Sequence, residues 1–228
     1  MKVAVIVPAL NEAGCIVELV TAAQRQAVEE VLVVDNGSTD GTAQVARQAG
    51  ARVVDEPRRG YGYACAAGVA AARPDTEVLV FLDGDFSFAP AEMPRLVGPI
   101  AAGQADLVLG SRALGSVERG SMPPPQAFGN WLVARLMRGL YRLPVTDLGP
   151  YRAIRSSLLN RLDMREMTFG WPTEMIVKAA RCRARIAEAP VSYQARRAGQ
   201  SKVSGTVKGT VLAGAVILGT TFRYVGWS

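Results

Sequence analysis

The chain has 228 residues, 49% hydrophobic and 20% charged, which are globular values that exclude wholesale disorder and accommodate one domain with a three-layer α/β core. It contains no histidine, and its three cysteines, Cys15, Cys65 and Cys182, are widely spaced, which argues against a zinc site or a disulfide framework and for free thiols in a reducing compartment. The net charge is +6, and five of the six excess charges (Arg196, Arg197, Lys202, Lys208 and Arg223) fall after Glu188, where no acidic residue follows.

Val3-Ala4-Val5-Ile6-Val7 is a continuous apolar run that ends at Pro8-Ala9-Leu10-Asn11-Glu12. It is too short for a signal peptide and lacks a small-residue cleavage site. A helix is expected near Ala13–Ala27. Val31–Val34 is a second run, followed by Asp35-Asn36-Gly37-Ser38-Thr39-Asp40-Gly41-Thr42 and a helix near Thr42–Ala49. A third, Ala51–Val54, ends at Asp55-Glu56-Pro57-Arg58-Arg59-Gly60, before a helix near Tyr63–Ala72. The fourth, Val78–Leu82, ends at Asp83-Gly84-Asp85, before a helix near Pro90–Ala101. Short apolar runs separated by helix-length segments indicate parallel strands with helices on both faces. Each strand then delivers a polar loop to the same sheet edge, where open α/β sheets bind their ligands.

Asp83-Gly84-Asp85 carries the most chemistry. Two carboxylates one residue apart suit a hard divalent cation, although Asp-Gly-Asp is also ordinary turn chemistry. Downstream, Asp106–Gly110 supplies another strand, closed by Ser111-Arg112. Arg112–Gln126, with Pro123-Pro124-Pro125, has no period and reads as a long loop. Ala127–Tyr141 is apolar at helical spacing with Arg135, Arg138 and Arg142 on its other face. Glu174–Arg181 is a helix entered through Gly170-Trp171-Pro172-Thr173, with Thr173 as its cap. Gly209–Phe222 is fourteen residues without a charge, flanked by Lys208 and Arg223. A spanning helix needs about twenty apolar residues, so this segment is expected to lie at a membrane interface, with packing onto the sheet or onto a second copy as alternatives.

Val5–Glu12, Val34–Thr42 and Leu82–Asp85 together resemble the family 2 nucleotide-sugar-dependent glycosyltransferases. Thr146-Asp147-Leu148-Gly149-Pro150-Tyr151-Arg152-Ala153 and Arg196-Arg197-Ala198-Gly199-Gln200-Ser201-Lys202 resemble segments of the polyprenyl-phosphate sugar transferases, of the dolichyl-phosphate mannose synthase kind. The matches run in the family's order over about residues 3–205. The resemblance implies a single-domain, Rossmann-like, mostly parallel α/β sheet over 1–205, with 1–110 the nucleotide-sugar half, 111–205 the acceptor half and 206–228 a C-terminal apolar and basic helix. It implies a metal-dependent inverting transfer from a UDP- or GDP-sugar, with Mg²⁺ or Mn²⁺ on Asp85 and Asp83 on metal or ribose. Pro8, Leu10, Glu12, Asp35, Asn36, Gly60, Asp83 and Gly84 are the implied nucleotide-sugar residues. Gly60 and Gly62 would let backbone approach the nucleotide, with Arg58 or Arg59 near phosphate. The family often has Asp-Asp where this chain has Asp35-Asn36, so the base stays open.

The acceptor decides whether a base is needed. A hydroxyl must lose its proton, whereas a phosphate monoester is already anionic at neutral pH and its site needs cations. Arg152, Arg196, Arg197, Ser201 and Lys202 match lipid-phosphate-binding positions of the relatives, which makes a polyprenyl phosphate the expected acceptor. Glu174 and Asp147 are the remaining catalytic candidates: a base for a hydroxyl, a positioner of an arginine, or a structural carboxylate. The alternatives are a hydroxyl of a phosphorylated small molecule or lipid, and a silent nucleotide-binding module. Nucleic acid is not expected, because no aromatic-basic interleaving accompanies the charge. The expected location is cytoplasmic, peripheral on the anionic inner face of the cell membrane.

Overall fold

A computed structural model describes residues 1–198 and 207–226. The four apolar runs become β1 (Val3–Ala9), β2 (Glu30–Asp35), β3 (Arg52–Asp55) and β4 (Val78–Phe81). All are parallel, with β1 between β2 and β4 and β3 outside β2. Side chains alternate across a strand, so β1 feeds two apolar layers. Val3, Val5 and Val7 pack with α1 (Ile16–Gln24), α2 (Thr42–Gln48) and α4 (Met93–Ala101); Ala4 and Ile6 pack with α3 (Tyr61–Ala71). A 3-10 turn at Pro90–Glu92 precedes α4.

The remaining strands complete a seven-stranded sheet in the order β3-β2-β1-β4-β6-β5-β7. These are β5 (Leu107–Val117), β6 (Arg152–Arg155) and β7 (Ile186–Tyr193), and β6 runs antiparallel to both its neighbours. Because β6 runs backwards, its first residue, Arg152, lies beside Phe81 at the end of β4. The whole segment before β6 is thereby delivered to the loop-bearing edge.

Two expectations are corrected here. The loop foreseen over Arg112–Gln126 is largely structured: β5 continues to Val117 on its pairing with β7, and α5 (Pro124–Tyr141) begins within the proline run. Proline is at home in a first helical turn, where its missing N–H has no acceptor to lose. Nor does Thr173 cap its helix: α7 (Trp171–Arg181) starts two residues earlier, with Gly170 at the cap position and Thr173 buried. The short α6 (Ser156–Leu162) joins β6 to the segment before α7.

The C-terminal helix α8 (Val207–Arg223) packs against α5 and α7. Ala213, Thr220, Thr221 and Tyr224 are buried there, while Val211, Leu212 and Phe222 are exposed. Tyr141 donates its hydroxyl to Thr221 O. No helix among the described residues is long and apolar enough to cross a membrane.

Candidate active site

The register sets Ala9 beside Asp35 and Ile6 beside Phe81, so the loops leaving β1, β2 and β4 converge. They border one cavity of about 690 Å³, whose far walls are α5 and α8. Asp83, Gly84 and Asp85 all line it.

Asp83 accepts a hydrogen bond from the Tyr61 hydroxyl at 3.1 Å. Withdrawal from water, reinforced by the negative charge of Asp85, pushes its carboxyl up to about 7. Asp85 receives the Ser87 N–H on Oδ1 at 2.9 Å and Arg196 Nη2 on Oδ2 at 3.2 Å. Two hard carboxylates one residue apart at the cavity wall make a donor set a divalent cation satisfies. Among the described residues no group of three or more such side chains is arranged to hold a metal. The residues therefore fit an ion that brings most of its shell with it, as Mg²⁺ does with water and substrate phosphates.

Pro8, Leu10 and Glu12 line the cavity from the β1 loop. That loop is zipped to the β2 loop: Asn11 N–H donates to Ser38 Oγ, Glu12 N–H to Thr42 Oγ1, and Thr39 N–H to Asn11 Oδ1. Asp35 lies behind this rim and is not among the cavity-lining residues; both its oxygens accept the Ser38 N–H. Asn36 does line the cavity. Its amide donates to Glu56 O and Arg58 O and its oxygen accepts from Gly60 N–H. An aspartate cannot make the two donations, so the amide has a structural reason here.

The glycines after β3 make a close backbone contact within the protein, and Gly60 also lines the cavity. Gly60 has φ +152°, and a Cβ on Gly60 or Gly62 would lie 2.5 Å from Met167. They admit the segment before α7 against the start of α3. Arg58 is committed to Glu56, with Nε and Nη2 at 2.9 and 2.7 Å, whereas Arg59 lines the cavity.

The acceptor candidates scatter. Arg196 lines the cavity, and its Nη2 joins Glu12 Oε1 at 2.8 Å to Asp85. Arg197 points elsewhere, pairing with Glu18 and stacking 4.1 Å over the Phe86 ring. Arg152 is not a phosphate ligand in this arrangement. It is 1% exposed and donates to four backbone carbonyls, those of Leu148, Gly149, Pro150 and Pro172. Burial lowers it to about 10. Ser201 and Lys202 lie outside the described residues.

Neither candidate base faces the cavity. Glu174 is fully buried, accepting from Lys178 Nζ at 2.8 Å, from the N–H groups of Arg165 and Glu166, and from the Tyr224 hydroxyl. Burial alone would raise it, but these donors hold the carboxyl below its ordinary value. Asp147 is equally buried and takes Arg112 Nε at 2.7 Å and Nη2 at 2.6 Å. Again burial opposes ionisation and the guanidinium outweighs it. Arg112 is the residue the sequence reading overlooked. It lines the cavity, stacks 5.2 Å from the Tyr193 ring, and its Nη1 makes no hydrogen bond among the described residues. Its position directly after the β5 apolar run was the available signal.

The model of "Glycosyl transferase family 2" matches residues 4–176. An uncharacterized glycosyltransferase of Mycobacterium tuberculosis is 40% identical over 211 residues, covering 92% of this chain and 94% of that protein. An undecaprenyl-phosphate mannosyltransferase of Micrococcus luteus is 32% identical, covering 99% of this chain and 97% of that protein. Among solved structures, glucosyl-3-phosphoglycerate synthase from M. tuberculosis, in complex with Mn²⁺, UDP and phosphoglyceric acid, superposes with a TM-score of 0.80. It is 25% identical, with 99% of this chain and 78% of that one covered.

Proposed function

Because this chain belongs to glycosyl transferase family 2 and is a glycosyltransferase using a nucleotide sugar, we propose that it moves a hexosyl group from a UDP- or GDP-sugar to the phosphate of a polyprenyl phosphate. The observation that carries this reading is the make-up of the cavity described above. It runs from the Asp83-Gly84-Asp85 loop, past Arg196 and Arg112, to the apolar surfaces of Leu132 and Val133 on α5 and Ile217 and Leu218 on α8. Polar chemistry at one end and apolar walls at the other suit a phosphate carried on a lipid. The Micrococcus relative's name supports the same acceptor.

On this reading the part of the chain over 1–110 holds the donor, and the part over 111–228, which includes α8, holds the acceptor. Asp85, with Asp83 beside it, would hold Mg²⁺ or Mn²⁺, which would supply neutralisation of the departing diphosphate. Glu12, Asn36, Gly60 and Gly84 border the donor. Arg112, locked by Asp147, and Arg196 present cations to the acceptor phosphate. That phosphate is already anionic, with a second pKa of about 6, so no protein base is required. Glu174 and Asp147 serve as positioning residues.

The outer face of α5 supports a peripheral place on an anionic membrane, at the inner face of the cell membrane. Phe128 and Trp131 are 62% and 56% exposed, with ring centroids 5.8 Å apart. Arg135, Arg138 and Arg142 continue the exposed face, and no acidic residue lies between Glu118 and Asp147. Aromatic rings at headgroup depth beside arginines are the chemistry of an interfacial helix.

A second reading, a hydroxyl of a phosphorylated small molecule, is favoured by the mycobacterial structure, which holds phosphoglyceric acid. One assay separates the two. The protein is incubated with labelled UDP-glucose or GDP-mannose, Mn²⁺, and either undecaprenyl phosphate in detergent or 3-phosphoglycerate. Label in the lipid extract is expected. Label only in the aqueous product would replace the first reading with the second.

A further inference from the structure

Arg196 sits on the segment that leaves β7 and crosses the carboxylate loop, where Gln194 N–H donates to Ser87 O and Arg197 N–H to Asp85 O. Its Nη2 lies between Glu12 Oε1 and Asp85 Oδ2, at 2.8 and 3.2 Å. Asp85 Oδ1 is already taken by the Ser87 N–H, so Oδ2 is the oxygen that Arg196 shares. Arg196 Nε and Nη1 are buried and have no hydrogen-bond partner among the described residues. The guanidinium therefore spends one nitrogen of three on carboxylates and leaves the others dry. Buried unpaired donors are costly, and those of a charged group most of all. The Arg112–Asp147 pair commits two guanidinium nitrogens to one carboxylate, Nε and Nη2, where Arg196 commits one nitrogen to two.

Apart from those two backbone bonds and the Arg197 stack on Phe86, the segment that carries Arg196 is held by exposed contacts. Ala195 N–H donates to Glu118 at an exposed site, and the Arg197–Glu18 pair is half in solvent. Exposed pairs of this kind contribute little. Gly14 leaves room for Ala198 beside α1, but that contact is a small one.

We propose that Arg196 is the resident counter-cation of Asp85 in the unloaded enzyme. It cedes Asp85 when a divalent ion enters, and its buried donors then take phosphate oxygens in the same cavity. This rests on the reading that Asp85 holds the ion. The consequence is a coupling between ion and phosphate. An ion arriving alone must displace one cation and leave two positive charges together. An ion arriving with a phosphate gives the displaced guanidinium an anion to receive it. That phosphate is the nucleotide's diphosphate or the acceptor's monoester, which share the recognising chemistry.

The test needs no turnover. Mn²⁺ binding to the full chain is measured from the free-ion resonance signal for wild type, Arg196→Gln and Arg196→Met, the last keeping the packing of the side-chain stem. With Mn²⁺ alone, both variants are expected to bind at least tenfold more tightly than wild type. With UDP present, that gain should vanish if the diphosphate receives the guanidinium. If the acceptor receives it, the gain should vanish only when geranyl phosphate is added with UDP. Variants that bind Mn²⁺ alone no more tightly than wild type overturn the competition. A gain that survives both additions overturns the hand-over, because simple charge repulsion would persist unchanged. Asp85→Ala isolates the underlying assignment: wild-type Mn²⁺ binding with UDP in that variant would remove the metal from Asp85, whatever Arg196 does.

Discussion

Arg112 and Arg152 show how little a residue type says about its work. Both are arginines near the loop-bearing edge, yet one faces the cavity and the other is enclosed by carbonyls. Arg112→Ala is expected to raise the acceptor KM or lower kcat by about 10- to 100-fold, the worth of one charge-assisted hydrogen bond, while donor affinity stays within a factor of two or so. Arg152→Ala removes the donor from four backbone carbonyls, one buried and three part-buried, and should cost on the order of 3 kcal/mol of stability, read by denaturant unfolding. Equal loss of donor and acceptor affinity in Arg112→Ala would assign that arginine to the diphosphate. Asp147 adds a pH signature. Its carboxyl lies below the ordinary value of 3.8 in the folded chain, so the stability it contributes is fully present above about pH 4 and is lost as the pH falls through the folded value. Asp147→Asn should remove that acid-dependent loss and, by leaving Arg112 buried without its anion, destabilise by about 3–5 kcal/mol at pH 7. A melting profile with the same acid slope in wild type and variant would contradict the assignment.

Helix α5 performs two tasks because its faces differ. Val133, Ala134 and Met137 point into the apolar layer, and Phe128, Trp131 and the arginines point out. Trp131→Ser with Phe128→Ser should weaken binding to anionic vesicles by about tenfold, consistent with losing two interfacial rings. It should leave metal-dependent hydrolysis of the donor unchanged, since neither ring borders the cavity. Vesicle binding should also fall as salt rises, because the arginine stripe is screened. Unaltered sedimentation with vesicles would move the membrane contact to another face. The beginning of α5 belongs to this scale too: a proline run read as a loop turns out to be a helix start, since the two states share their first residues.

At the scale of the whole molecule, α8 is a wall of the cavity and part of the packed body. Its Tyr224 hydroxyl reaches Glu174, and Glu174 in turn holds the backbone before α7, which touches Gly60 and Gly62. A line of contacts thus joins the C-terminal helix to the donor side. Removing residues 207–228 should therefore do more than weaken membrane binding. It should lower the melting temperature by about 10 °C, as expected for a loss of several kcal/mol in a chain of this size. Hydrogen exchange should rise in α5 and α7. A truncated chain that melts like the full one would show that α8 is an appendage.

Much was legible in the residues alone. The four parallel strands, their helices and the convergence of Pro8–Glu12, Asn36 and Asp83–Asp85 follow from apolar runs and turn residues, which act locally and leave a local record. The family could be read for the same reason. What the tertiary structure decided is which charged side chains meet the cavity. Arg152, Glu174 and Asp147 carry the right chemistry, but an antiparallel strand and a helix that starts three residues earlier than expected accompany their burial in the protein, where carbonyls, Lys178 and Arg112 consume them. Arg112 reaches the same edge on β5, which runs the same way as β4, and Arg196 reaches Asp85 across 111 positions of sequence. Partnership at such separations depends on strand order and packing, and a local pattern of residues does not encode it.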